Sequence, residues 1–185
     1  MKRSVKAAAL AAVTVVVTSI VFFCKDAASA SSPVTTVGEF SNMRHTAEHT
    51  YGYSVQLWRS EGMLFGLFLA ANGLEGDTPT GVLEDVKYSV TTGRLSFKSK
   101  LSVGFIYTGS RWVPSHDLFE FDGSLSGNAL NGGLKHFDML HTEAAPEPVT
   151  VHLKRVSSES MVNAPTYEEW QRATQAILVR RGPKW

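Results

Sequence analysis

The chain of 185 residues holds one cysteine, Cys24. A single thiol excludes an intramolecular disulfide framework and a cysteine-rich zinc module. Charge of one sign is also missing. Charged residues make up 19% of the chain, and 18 Lys and Arg stand against 17 Asp and Glu. A polyanion binder needs a large basic excess, so nucleic acid is not an expected partner. The chain has no Gly-rich phosphate loop followed by Lys-Ser/Thr and no dinucleotide fingerprint, and no residue pattern implies a cofactor. Apolar residues, by contrast, make up 43% of the chain, which suits a folded core rather than a disordered segment.

The scarce charge is unevenly placed. Met1–Lys6 is a short basic stretch, Ala7 to Phe23 is uncharged and rich in Ala and Val, and Ala28-Ser29-Ala30 is a small-x-small site. That order is expected of an export signal spanning residues 1–30. Removing it takes four of the 18 basic and one of the 17 acidic residues, leaving 14 and 16. Cys24 leaves too, so the mature chain has no cysteine nucleophile. Lipidation at Cys24 is disfavoured because Phe22 and Phe23, not a small residue, precede it. The alternative is an uncleaved N-terminal anchor, since the apolar run just reaches spanning length. Lys2, Arg3 and Lys6 would then stay in the cytoplasm. Both readings put the following domain outside the cytoplasm, periplasmic or secreted. Any contact with the membrane would run through this leader alone.

Residues 31–50 open on Ser31-Ser32-Pro33 without a sustained period and read as a linker. From Tyr51 the pattern alternates, broken by turn residues about every ten positions. Such spacing predicts a mainly β fold, an antiparallel up-and-down meander barrel of about eight strands over residues 51–185. The clearest hairpin is Leu118–Phe137, turning at Gly127-Asn128. Its predicted register sets Leu125 opposite Leu130, Gly123 opposite Gly132, Phe121 opposite Leu134 and Phe119 opposite His136. The other face pairs Ser124 with Asn131 and Glu120 with Lys135, and a slip of one residue destroys both faces. A second hairpin, Glu84–Val103, is predicted to loop at Thr91–Arg94, with Asp85 opposite Lys100 and Lys87 opposite Lys98. A third joins Tyr51–Arg59 to Met63–Ala71 through Ser60-Glu61-Gly62. Phe105–Thr108 and Val149–Val156 supply further strands.

The C-terminus predicts a helix over 166–181. Thr166-Tyr-Glu-Glu169 is a capping box, Arg180 and Arg181 suit the last turn, and Gly182-Pro183 ends it. Its stripe of Tyr167, Trp170, Ala173, Thr174, Ile177 and Leu178 needs a partner surface. Met63–Ala71, apolar on both faces, is the expected one.

Several candidate sites follow from residue types. His45-Thr-Ala-Glu48-His49 matches the inverted zinc-peptidase pattern, but only one residue separates it from the strand at Tyr51, too few for the helix that chemistry needs. His136, Asp138 and His141 cluster at the end of the hairpin, and an enzyme reading would use His136 with Asp138 as an acid–base pair. Ser115-His116-Asp117 has the triad residue types, but adjacency in sequence is not triad geometry. No metal site is assigned, because nothing fixes a third or fourth ligand. Tyr51, Tyr53, Tyr88, Phe97, Phe119 and Phe121 fall on the expected inner faces and are the candidate ligand-binding residues. They are joined by His136 at the barrel mouth and by Trp112 on a loop that could gate it.

Together, the meander of residues 51–181 and its closing helix resemble the calycin-like layout of lipocalins and related small secreted barrels. Lipocalins carry Gly-x-Trp near the first strand, where this chain has Gly52-Tyr53-Ser54. The resemblance implies a fold and a hollow or filled barrel, and a fold alone assigns no activity. The leading expectation is a small apolar or amphipathic ligand held in the barrel. The alternatives are a solid barrel that binds an envelope protein partner, and the His136–Asp138 enzyme.

Overall fold

The structure is a computed structural model that describes residues 32–74, 78–141, 146–157 and 159–185. The leader read over 1–30 lies outside the described residues. Among the described residues twelve strands precede one helix: β1 (Thr35–Ser41), β2 (Arg44–His45), β3 (His49–Ser60), β4 (Met63–Leu74), β5 (Thr80–Val82), β6 (Glu84–Tyr88), β7 (Arg94–Leu101), β8 (Phe105–Tyr107), β9 (Trp112–Pro114), β10 (Asp117–Leu125), β11 (Ala129–Asp138), β12 (Val149–Val156) and α1 (Tyr167–Arg181).

Nine of these strands follow one antiparallel path, β5-β4-β3-β1-β12-β11-β10-β7-β6. Apart from β5 and β6, each of the nine pairs with the next of them along the chain, and β12 returns to β1 through Glu39–Val156, Phe40–Arg155 and Ser41–Lys154. β5 and β6 are two halves of one strand broken at Leu83. The first half pairs with β4 and the second with β7. The Leu83 amide still donates to the Gly66 carbonyl at 3.0 Å, and Ser99 Oγ donates to the Val82 carbonyl at 3.1 Å across the seam. The result is a nearly closed barrel with the predicted meander order.

The register of the β10–β11 hairpin is the predicted one at every pair, from Leu125–Leu130 to Phe119–His136. β3 and β4 turn more tightly than predicted. Ser60 pairs with Met63, leaving Glu61-Gly62 as a two-residue turn with φ of 48° and 80°. Such a turn needs positive φ at both positions, which glycine takes without strain. The β6–β7 hairpin departs from expectation. The turn closes at Ser89 and Arg94, so Tyr88 faces Leu95 and Lys87 faces Ser96, and a bulge between Glu84 and Lys87, where Asp85 has φ 51°, then sets Glu84 opposite Lys98. Lys87 therefore avoids Lys98, and Lys98 lies between Asp85 and Glu120 at 3.5 and 3.6 Å. Residues 31–50 are not a linker: they supply β1, a full barrel strand, and β2.

Two apolar clusters hold the fold. Inside the barrel, Phe40, Leu57, Phe68, Phe97, Leu101, Phe119, Phe121, Leu130 and Leu153 are nearly inaccessible. Alternate residues of β4 divide between the clusters, as its two apolar faces require. Leu64, Phe68 and Ala70 point inward, while Phe65 and Leu67 join Trp58, Met161, Ala164 and Trp170 beneath α1. Thr166 caps the helix through the Glu169 amide at 3.3 Å. Replacing Thr166 with alanine is expected to cost about 1 kcal/mol by losing this acceptor, read as a modest fall in the thermal midpoint. A Thr166→Ser variant keeps the hydroxyl and should recover it.

Candidate functional site

The barrel has two unlike ends. The tight turns after β3, β6 and β10 gather at one. At the other lie the β2–β3 turn, the end of β4 and start of β5, the end of β11 and start of β12, and the segment between β7 and β10 that carries the small β8–β9 sheet. The chemistry concentrates at this second end, the mouth.

Asp117 opens β10 and is buried, with 4% exposure. Its Oδ2 accepts from the Val103 amide at 2.9 Å and the Ser115 hydroxyl at 2.5 Å. Its Oδ1 lies 2.7 Å from His136 Nε2. Ser115 Oγ in turn accepts from the Gly104 amide at 2.9 Å. Burial pushes the Asp117 carboxyl up. Hydrogen bonds from His136, Ser115 and Val103 and the charge of His136 outweigh it and hold the group below its ordinary value. The imidazole of His136 stacks on Phe119 at 4.4 Å between centroids and 6° between planes. One ring nitrogen on a carboxylate and one face on a phenyl ring fix its orientation.

This imidazole forms part of the wall of a recess of about 290 Å³, with Tyr51, Tyr53, Asn72, Val103 and Phe119. Tyr53 packs its ring on Phe68 at 5.8 Å and edge-on to Phe119 at 6.1 Å. Burial pushes its hydroxyl up, so the wall is neutral and aromatic apart from the Asp117–His136 pair. A wider groove of about 860 Å³ lies along β6, β7, β10 and β11, with Lys87, Lys98, Glu120, Asp122 and Lys135 among its walls. Its carboxylates pair with cations, Asp122 with Arg94 at 2.9 Å and Asp85 and Glu120 with Lys98 at 3.5 and 3.6 Å. It holds no buried polar group comparable to Asp117.

Of the eight residues expected to bind a ligand, Tyr51, Tyr53, Phe119 and His136 meet at the mouth recess. Phe97 and Phe121 stack on each other at 5.1 Å in the interior. Tyr88 sits at the opposite end, with the Arg59 guanidinium 5.5 Å from its ring centroid. Trp112 lies on β9 rather than a loop, 67% exposed and 5.5 Å from Tyr107. The facing glycines 123 and 132 do not open a cavity wall. A Cβ built on either would lie 2.6 and 2.8 Å from Phe121 Cζ, so that ring occupies the space.

The other motifs resolve into separate parts. His136 pairs with Asp117 and not with Asp138, which instead meets His141 at 2.7 Å and accepts from the Leu140 amide. The His136–Asp138 acid–base pair is therefore not formed. Ser115 donates to Asp117, so the carboxylate stands between hydroxyl and imidazole, and no nucleophile faces the base as a triad requires. His116 stacks on Trp185 at 5.1 Å. His45 and His49 lie on adjacent strands around a turn, with His45 Nδ1 3.1 Å from Thr50 Oγ1, and the peptidase helix does not form. Among the described residues no cluster of three or more metal-ligating side chains occurs, and no helix is long and apolar enough to cross a membrane. Sequence reasoning missed Asp117 as the partner of His136, although the hairpin register makes them same-face diagonal neighbours. Asn72 comes to the mouth through pairing of β4 with Tyr51 beyond the predicted end of that strand at Ala71, and Val103 through the segment after β7. No family model, no curated protein and no solved structure matches this chain.

Proposed function

We propose that this protein is an extracytoplasmic barrel that binds a small apolar or amphipathic molecule at its mouth. The observation that carries the reading is the recess of Tyr51, Tyr53 and Phe119 with one oriented polar group, His136, on a buried carboxylate. A mostly apolar concavity with few convergent polar groups is the usual form of a small-molecule site. The ligand sits at the end of the barrel and not along its axis, because Phe68, Phe97, Phe119 and Phe121 pack ring to ring across the interior. The basic, apolar and small-x-small order of residues 1–30 supports export.

The test is to recover the exported protein and measure, by native mass spectrometry, any small molecule that travels with it. Titration with N-phenyl-1-naphthylamine supplies a probe where none does. Asn72→Phe, on the inward face of β4 with Ala70, narrows the recess and is expected to weaken probe binding at least tenfold. His136→Ala should weaken it less, and equal binding by both variants and the parent would remove the mouth as the site.

A second reading, an envelope protein partner, is favoured by one observation. Phe105, Tyr107 and Trp112 on the β8–β9 sheet are 69%, 56% and 67% exposed. Cross-linking in the native envelope would then yield an adduct that disappears in Trp112→Ala.

A further inference from the structure

We infer that the ligand of the mouth carries a hydroxyl head, an alcohol or a phenol, which donates its hydrogen to Nδ1 of His136. This rests on the mouth reading above and adds the chemistry of the head.

The argument starts from which ring nitrogen holds the proton. Asp117 Oδ2 already accepts from the Val103 amide and the Ser115 hydroxyl, and Oδ1 is left for the imidazole at 2.7 Å. The hydrogen bonds hold the carboxyl below its ordinary value, so at neutral pH it is ionised and can only accept. Nε2 is therefore the donor, and the neutral ring is the Nε2–H tautomer. Its Nδ1 is then a bare lone pair. The ring cannot turn to exchange its nitrogens without giving up Asp117 and its stack on Phe119. No other carboxylate competes for it, because Asp138, two residues along β11, is held by His141.

That lone pair is open to the recess. Among the described residues His136 makes no hydrogen bond besides the one to Asp117, and its side chain is 45% exposed where it lines the wall. The other polar groups of the wall are Tyr51, Tyr53 and Asn72. A phenol and an amide can each give or take a hydrogen bond, so they accept heads of either kind. A neutral imidazole with Nε2 occupied can only take. His136 is thus the group that sorts one head from another. An ether or sulfonate oxygen would set lone pair against lone pair. An ammonium carries three donors and a strong hydration shell, which one fixed acceptor does not replace. A hydroxyl has one donor for Nδ1, and its own oxygen suits the tyrosine hydroxyls or the Asn72 amide.

The experiment displaces N-phenyl-1-naphthylamine from the full exported protein at pH 8.5 with four octyl compounds: 1-octanol, octyl methyl ether, octylammonium and octanesulfonate. Octanol is expected to bind about tenfold more tightly than the ether, roughly the worth of one hydrogen bond. That ratio should fall toward one in His136→Gln, whose amide both gives and takes. Nitrogen NMR of the parent reads the tautomer without any substitution, and so covers a variant that fails to fold. It should show a proton on Nε2 alone, with the Nδ1 resonance moving when octanol is added. A proton on Nδ1, in the other tautomer or in the imidazolium, would overturn the inference. Equal affinity for octanol and its ether would overturn the hydroxyl head and leave the mouth reading standing, as would a preference for octanol that survives in His136→Gln. Tighter binding of octylammonium or octanesulfonate than of octanol would replace the hydroxyl by a charged head. Binding of none would overturn both readings.

Discussion

Replacing Trp170 with alanine is expected to lower the unfolding free energy by about 3–5 kcal/mol, the usual range for deleting a buried tryptophan side chain. Trp170 is 2% exposed and is the contact through which α1 holds the barrel wall. Its ring lies edge-on to Phe65 at 4.7 Å and to Trp58 at 5.5 Å, with Tyr167 stacked at 5.8 Å. Removing it strips partners from three rings at once and leaves a space that β3 and β4, both paired within the sheet, cannot close. Its indole Nε1 is buried without a hydrogen-bond partner among the described residues. The nitrogen therefore contributes little, and the ring volume carries the effect. Trp170→Phe should cost only about 1 kcal/mol, because lost volume is partly offset by removing an unpaired buried donor. Equilibrium urea unfolding of the two variants separates these terms. Equal losses for Phe and Ala would show that shape alone does not explain the anchor.

The same helix shows what could be read from the sequence. Its cap, its basic last turn and its stripe are local features written in consecutive residues. The doubly apolar Met63–Ala71 had to be covered on both faces, which identified its partner. The β10–β11 register was equally legible, because apolar matching and the Glu120–Lys135 pair agree on one alignment. β1 was hidden by a bulge. The register against β3 shifts between Thr36 and Gly38, so the inward residues Val37 and Phe40 stand three apart rather than two or four. Alternation is the signal for a strand, and a bulge erases it. The β6–β7 register was displaced at its turn, which closes at Ser89 and Arg94 rather than around a Thr91–Arg94 loop, and the bulge at Asp85 shifts it again.

The site was half legible for a related reason. Inward-facing aromatics can be listed from alternation, but which of them line a recess depends on where along the barrel axis each one falls. Tyr51 and Tyr53 reach the mouth, whereas Phe97 and Phe121 at the same phase of their strands lie inside the packed core. The sequence places Asp138 two residues from His136 on the same strand, while the true partner comes from the neighbouring strand. Sequence proximity favoured the wrong carboxylate, and only the cross-strand diagonal points to Asp117. The docking of Lys184 and Trp185 near the end of β7 was not legible either, because nothing local in the tail marks its partner.

Asp117→Ala is the second large effect, about 3 kcal/mol at neutral pH. Two donors, the half-buried Val103 amide and the buried Ser115 hydroxyl, lose their acceptor together, and an unpaired buried donor costs about 1–3 kcal/mol. The His136 side chain is 45% exposed, so solvent takes over part of its charge and that bond adds little. The loss should depend on pH in a defined sense. The carboxyl is held below its ordinary value of 3.8 in the folded protein. Its stabilisation is therefore fully present above that value and fades as pH falls through the lower folded one. Asp138 is shifted the same way, the hydrogen bonds from His141 and Leu140 outweighing its burial, and because the Asp117 charge is the last of the influences on it, its contribution changes little between the two proteins. Urea unfolding of parent and Asp117→Ala from pH 7 down to pH 3 should show a gap that is constant near neutrality and narrows only at the acid end, through loss in the parent. A gap that stays constant across the whole range would mean that the carboxylate charge plays no part, and that Asp117 acts only by filling its place between Val103 and His136.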